Sequence, residues 1–261
     1  MSLEAAELFS TGVIIATAIL ILFGCIRLYR NKSHTMTLVY FTFTVVSLLL
    51  AQLYWLVYDF LRKDVQMPFA ANEFAEAALV LLLSSMLRTV FTKQIRILSK
   101  TFAFSVLYAA ANAVLWIAWN GDWIEALITG PAYAYFVVTA AIALKESDAL
   151  KNWGYALIVG VASITTLMQA AELVFPETAF VLDPATYVLM LSMIVVWSVW
   201  IARAFQRKAE PRVLMSLSVG ALCWVFYTMY SCSGWWYIAA ELAQVAAFSS
   251  IFLAVRREVR A

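Results

Sequence analysis

The chain has 261 residues, 64% of them hydrophobic and 13% charged, with a mean hydropathy of +0.86 and a formal net charge of +2. Such a composition excludes a water-soluble globular domain. It is that of an all-α integral membrane protein, read as one polytopic transmembrane domain over residues 1–261, with neither a domain nor a motif for nucleic acid.

A span needs about 20 mostly apolar residues, and charge, Pro and Gly divide the chain into about nine such stretches. The first is 9–26; Glu4 and Glu7 precede it without a Lys or Arg, so it is read as a span and not as a cleavable signal. Spans 37–58 and 69–87 form a hairpin over 37–91. Its returning helix opens with Glu73 and Glu76, where the positive end of the helix dipole and headgroup water favour an anion, and Asn72 can cap it. Spans 101–119 and 123–144 make the hairpin 101–144 around Asn120-Gly121-Asp122, a tight-turn signal, with Asp122 and Glu125 at capping-box spacing. Spans 153–174 and 184–201 make the hairpin 153–204, and spans 213–230 and 235–255 the hairpin 213–255.

Basic residues set the expected orientation. Sixteen of the eighteen Lys and Arg fall at 27–36, 88–100, 145–151, 202–212 and 256–261, and only Arg62 and Lys63 lie on the other side. The positive-inside rule then puts the N-terminus outside and the C-terminus in the cytoplasm, at the plasma membrane. Twelve of the sixteen carboxylates fall on the outer side. Returning helices echo one another in "EAALVLLLSS" and "ELAQVAAFSS", which suggests hairpins repeated in the same membrane orientation after the first helix.

An acid inside a span costs about 2.5 kcal/mol or more and marks a candidate site. Glu172 sits in an in-to-out helix a turn before Pro176, at the unfavourable end of the dipole, with Gln169 three residues earlier on nearly the same face. Glu241 lies nearly two turns inside the last span, with Gln244 three residues on. Convergence of these two Glu and Gln pairs across the bundle would make a charge-binding pocket, with Glu73 and Glu76 as further acids. Tyr54, Tyr58, Tyr227 and Tyr230 offer aromatic faces in the same outer half, suited to an organic cation.

Other chemistry is demoted. The single histidine, His34, lies in a short loop, which removes His-rich zinc sites, bis-histidine haem and most Ser-His hydrolase arrangements. Every Lys lies at or beyond a span end, against a retinal Schiff base, and Cys25, Cys223 and Cys232 have no CxxC spacing and are expected as free thiols. No cofactor or metal site is expected, and an enzyme is a minor alternative. The expected function is binding of a small cationic or amine-bearing ligand in an outward-facing acidic and aromatic pocket. Short loops carry no output domain, so a sensor or receptor of this kind requires a separate membrane or cytoplasmic protein partner in addition to the bilayer. A secondary carrier or cation-coupled transporter, and a structural subunit of a membrane complex, are the alternatives.

Overall fold

A computed structural model describes residues 2–31, 35–61, 71–91, 99–120 and 123–260. These residues form nine α-helices and one short 3-10 turn, with no strand among them. The helices are α1 (Leu3–Arg30), α2 (Met36–Leu61), α3 (Ala71–Val90), α4 (Lys100–Asn120), α5 (Trp123–Glu146), α6 (Asn152–Val174), α7 (Ala179–Gln206), α8 (Pro211–Ser231) and α9 (Gly234–Glu258). His34, Arg62, Lys63, Gly121 and Asp122 lie outside the described residues.

Seven of the nine helices are long and apolar enough to cross a membrane: α1, α2, α4, α6, α7, α8 and α9. The chain is therefore a multi-pass helical membrane protein. Of the nine stretches expected from the sequence, α3 and α5 are not in that set among the described residues; α3 carries Glu73, Glu76 and Arg88 within its 20 residues. Both pack inside the bundle, α3 against α2, α5 and α8, and α5 against α3, α4 and α8. Most helices run past the apolar stretches that announce them. At the start of α1 a cap extends the helix: the Ser2 hydroxyl accepts from the Ala5 amide at 3.3 Å and starts α1 well before Phe9.

Two helix ends at the basic end of the bundle close in the same way. Asp148 (φ 49°) follows α5 and Lys208 (φ 52°) follows α7, each in the left-handed region. In each case the next amide reaches back to the last turn, Ala149 to the Leu144 carbonyl at 3.4 Å and Ala209 to the Ala204 carbonyl at 2.9 Å. This is the six-to-one closure that satisfies otherwise orphaned carbonyls.

Packing divides the bundle into two lobes that share α8. Helices α1, α2, α3, α8 and α9 pack in a closed cycle, with α2 also against α9. Ile14, Ala18, Leu38, Phe41, Leu83, Met86, Phe248 and Ile251 fill that lobe and are fully buried. Helix α8 is apolar on all sides and correspondingly buried along most of its length. Its indole at Trp224 donates to the Met190 carbonyl of α7 at 3.0 Å. Gly220 lets α5 and α7 close in: a Cβ there would stand 2.8 Å from Trp197 and 3.0 Å from Leu144.

The second lobe is a ring, α4 on α5, α5 on α8, α8 on α7, α7 on α6 and α6 on α4. The backbones of α5 and α6 stay apart, although only a short turn joins them, and the Tyr155 hydroxyl of α6 bridges to the Leu144 carbonyl of α5 at 2.7 Å. The ring is hollow along its axis. On the outside of the whole bundle, Leu20, Phe23, Leu107, Leu127, Leu167 and Phe180 are each at least 65% exposed, a liability in water and ordinary where lipid tails cover them.

Candidate functional site

The end of the bundle opposite the basic loops carries the acids, and the candidate site forms there between α6, α7 and α8. Pro176 cannot extend α6, so the helix stops at Val174 and a 3-10 turn over Pro176–Thr178 returns the chain into α7. On α6, Thr165, Gln169 and Glu172 follow at helical spacing and form one stripe. On α7, Ala179, Asp183, Thr186 and Tyr187 form the stripe that faces them. Gln169 and Glu172 of the first stripe and all four residues of the second, together with Trp119, Tyr230 and Ser231, line a cavity of about 410 Å³.

Its walls are polar and incompletely paired. The Glu172 and Asp183 carboxyls meet across the cavity, and two carboxyls in contact hold a proton or a cation between them. The Gln169 Nε2, Glu172 Oε1 and Thr186 Oγ1 atoms are all buried without a hydrogen-bond partner among the described residues. Gln169 is anchored from its other end: Tyr227 donates to its Oε1 at 3.2 Å, and the same hydroxyl bonds Thr165 at 2.9 Å. Tyr187 leans on Trp236 with ring centroids 6.1 Å apart, which fixes that wall. Just outside α8, Cys232 abuts the same acids; burial first, and then the Asp183 charge, push its thiol up from 9.0 to about 12. All three cysteines are free.

A second cluster adjoins the first. Tyr230 donates to Glu76 Oε2 of α3 at 2.8 Å and is also hydrogen-bonded to the Tyr133 hydroxyl of α5. One hydroxyl carries one proton, so with Tyr230 donating to Glu76, Tyr133 is the donor to Tyr230. The chain of bonds therefore runs Tyr133, Tyr230, Glu76. Edge-to-face contacts hold the central ring, at 5.3 Å from Tyr133 and 5.1 Å from Trp116 of α4.

The remaining residues singled out from the sequence fall elsewhere. Glu241 is 3% exposed and hydrogen-bonded to Ser10 of α1, and Gln244, 2% exposed, lies one turn along the same face of α9. Helices α6 and α9 do not touch, so the two Glu and Gln pairs do not converge. The physical reason is the interposed α8, which fills the space between them. Glu73 is half-buried in the first turn of α3, and Tyr54 packs edge-on against Trp55 at 6.1 Å on α2, away from the cavity. The Tyr58 side chain lies outside the described residues. Among the cavity residues not singled out in the sequence are Asp183, Thr186 and Tyr187. Pro184 reads as the start of a span, which leaves Asp183 in a loop; α7 in fact begins at Ala179 and carries Pro184 within its opening turns. The signal that would have found them is the 179, 183, 186, 187 spacing upstream and downstream of that proline.

Among the described residues no group of three or more His, Cys, Asp or Glu is arranged to hold a metal ion. Comparison with protein-family models, with curated proteins and with solved structures found no match to the chain.

Proposed function

We propose that the chain is a nine-span plasma-membrane protein, N-terminus outside and C-terminus in the cytoplasm, whose cavity between α6, α7 and α8 opens outward and binds a small cationic or amine-bearing ligand. The distribution of Lys and Arg supports the orientation, and α3 and α5, packed inside the bundle, complete the alternation of ends that this distribution requires.

The observation that carries the reading is the set of unpartnered polar atoms on the two facing cavity walls, Gln169 Nε2 and Glu172 Oε1 of α6 and Thr186 Oγ1 of α7, beside the paired Glu172 and Asp183 carboxyls. Each buried polar group left unpaired costs about 1–3 kcal/mol, a cost a polar ligand recovers on binding. Two carboxyls select positive charge, and the Tyr187 and Tyr230 rings add cation-π attraction. Binding would be reported through a separate protein partner, the short basic-end turns being its docking face. A carrier is the second reading. The larger hollow that shares Tyr230 with this cavity reaches the basic end, but aromatic and Ala side chains line most of it, a poor path for a cation, which favours the receptor.

The test is thermal stability of the purified protein against amines, amino acids and metal ions. A ligand at a hundredfold excess over its dissociation constant raises stability by about 2.7 kcal/mol. Glu172→Gln and Asp183→Asn should each abolish that shift, and Glu241→Gln should leave it. A shift that survives both cavity substitutions, or none with any cation, overturns the reading; ligand counterflow in liposomes would move it to the carrier.

A further inference from the structure

The hollow inside the ring of α4 to α8 has a volume of about 680 Å³ and runs from Lys100, Thr101 and Lys145 at the basic end to Trp116 and Trp119 at the other. Along α4, Lys100 to Trp119 is a rise of about 28 Å, close to the roughly 30 Å of a bilayer's hydrocarbon core. Spread over that length, the hollow has room for at least one hydrocarbon chain in file.

Small side chains make the space. Ala109, Ala113, Ala134 and Ala141 line it, and at Gly130 no atom stands within 4 Å of where a Cβ would be. Most of the wall area is apolar, and walls with nothing against them forfeit their dispersion contacts. The cover is lightly held: the α4 backbone packs only on α5 and α6, and reaches α8 through Tyr108 on Tyr227 at 5.5 Å and Trp116 on Tyr230 at 5.1 Å. One wall atom has no partner among the described residues, the indole N–H of Trp197, a side chain only 2% exposed.

Charge differs between the two ends. At the basic mouth the Lys145 ammonium donates to Thr101 Oγ1 at 3.5 Å, with Lys100 adjoining; Asp148 is the one acid among the lining residues, which are net positive at this end, and Glu146 follows Lys145 outside the lining. At the far end stand Glu76, Glu172 and Asp183, which repel an anion.

We propose that this hollow binds a single-chain amphiphile with an anionic head, the hydrocarbon chain lying along α4 and the head against Lys100 and Lys145. A carboxylate and a phosphate satisfy the two ammoniums alike, so the head is assigned by its charge. The site is distinct from the amine cavity and stands or falls separately.

The test is saturable binding to the purified full-length protein, by native mass spectrometry and melting temperature. The probes share one chain length: oleate, oleoyl lysophosphatidic acid, oleyl alcohol and oleoyl lysophosphatidylcholine. The expected result is one bound molecule of oleate or of the phosphate, the tighter of the two identifying the head, with the alcohol and the zwitterion at least tenfold weaker. Lys100→Gln with Lys145→Gln should erase that preference, Ala141→Phe should block the chain, and Glu172→Gln should change neither. Should Ala141→Phe fail to fold, the lysine pair alone decides. Equal binding of oleate and oleyl alcohol, preference unchanged in the lysine variant, or no saturable binding of any probe overturns the proposal.

Discussion

Replacing Tyr230 with Phe removes one oxygen from the centre of the acid end and keeps its ring, with the 5.3 Å contact to Tyr133 and the 5.1 Å contact to Trp116. What is lost is the 2.8 Å hydrogen bond to Glu76 and the acceptor for Tyr133. Two magnitudes compete for the first of these. A hydrogen bond to an ionised acceptor contributes about 1.5–3 kcal/mol, whereas neutral interhelical bonds in membranes average about 0.6 kcal/mol. A double-mutant cycle with Glu76→Leu separates them, because Tyr230→Phe alone also charges the cost of stranding a carboxyl. We expect Tyr230→Phe to destabilise by about 1.5–3 kcal/mol, and the double variant to be less destabilised than the sum of the singles. Reversible denaturant unfolding in mild detergent, followed by tryptophan fluorescence, measures all three. A coupling above about 1.5 kcal/mol identifies an ionised Glu76 as acceptor, and one near 0.6 kcal/mol a neutral carboxyl. Additivity within about 0.3–0.5 kcal/mol would refute the bond as a stabilising link between α3 and α8.

Glycine substitutions should split by position. Gly220→Ala drives a methyl to 2.8 Å from Trp197 and should cost about 1–3 kcal/mol, whereas Gly160→Ala meets nothing within 4 Å on α6 and should gain about 0.4–1 kcal/mol in the same unfolding assay. Ser10→Ala removes the hydroxyl that α1 offers to the buried Glu241 and should destabilise by about 1–3 kcal/mol, with loss of the first-helix contact seen as faster proteolysis of the N-terminal segment. The raised Cys232 thiol gives a pH signature. In a variant whose other two cysteines are Ala, its alkylation rate should keep climbing with pH past 9.0 towards about 12, and a plateau near 9.0 would contradict the burial. Between those values the folded chain keeps a proton that the unfolded chain has lost, so this thiol's contribution to stability falls as pH rises through that window.

Seven of the helices were legible in the sequence because a bilayer demands length and apolarity of a span, and charge marks their ends, while α3 and α5 were legible as shorter or more charged apolar stretches. Helix boundaries were less so, since capping at Ser2 and the left-handed residues Asp148 and Lys208 extend or close helices where hydropathy is silent. At the site, Gln169, Glu172 and Tyr230 were visible as polar or amphipathic side chains in apolar surroundings, and the structure brings them to one cavity. Glu241 and Gln244 had the same signature and lie elsewhere, because spacing along one helix says which face a residue occupies and nothing about which helix covers that face. Asp183 was hidden by Pro184, a residue that marks a helix start in most sequences and here stands inside one. The hollow of the second lobe had no signal at all: Ala and Gly on α4 and α5 read equally as close packing or as empty space, and only the separation of the α5 and α6 backbones decides between them.

Tyr230 lines both cavities, the polar one beside α6 and α7 and the long one beside α4. A side chain that forms a common partition ties the two volumes together: whatever turns its ring to enlarge one chamber shrinks or reshapes the other. If both chambers take the ligands proposed for them, their occupancies would be thermodynamically linked, and reciprocally so, each occupant changing the other's affinity by the same factor. The strength of that linkage is set by the Tyr133, Tyr230 and Glu76 bonds, which hold the partition in its present rotamer.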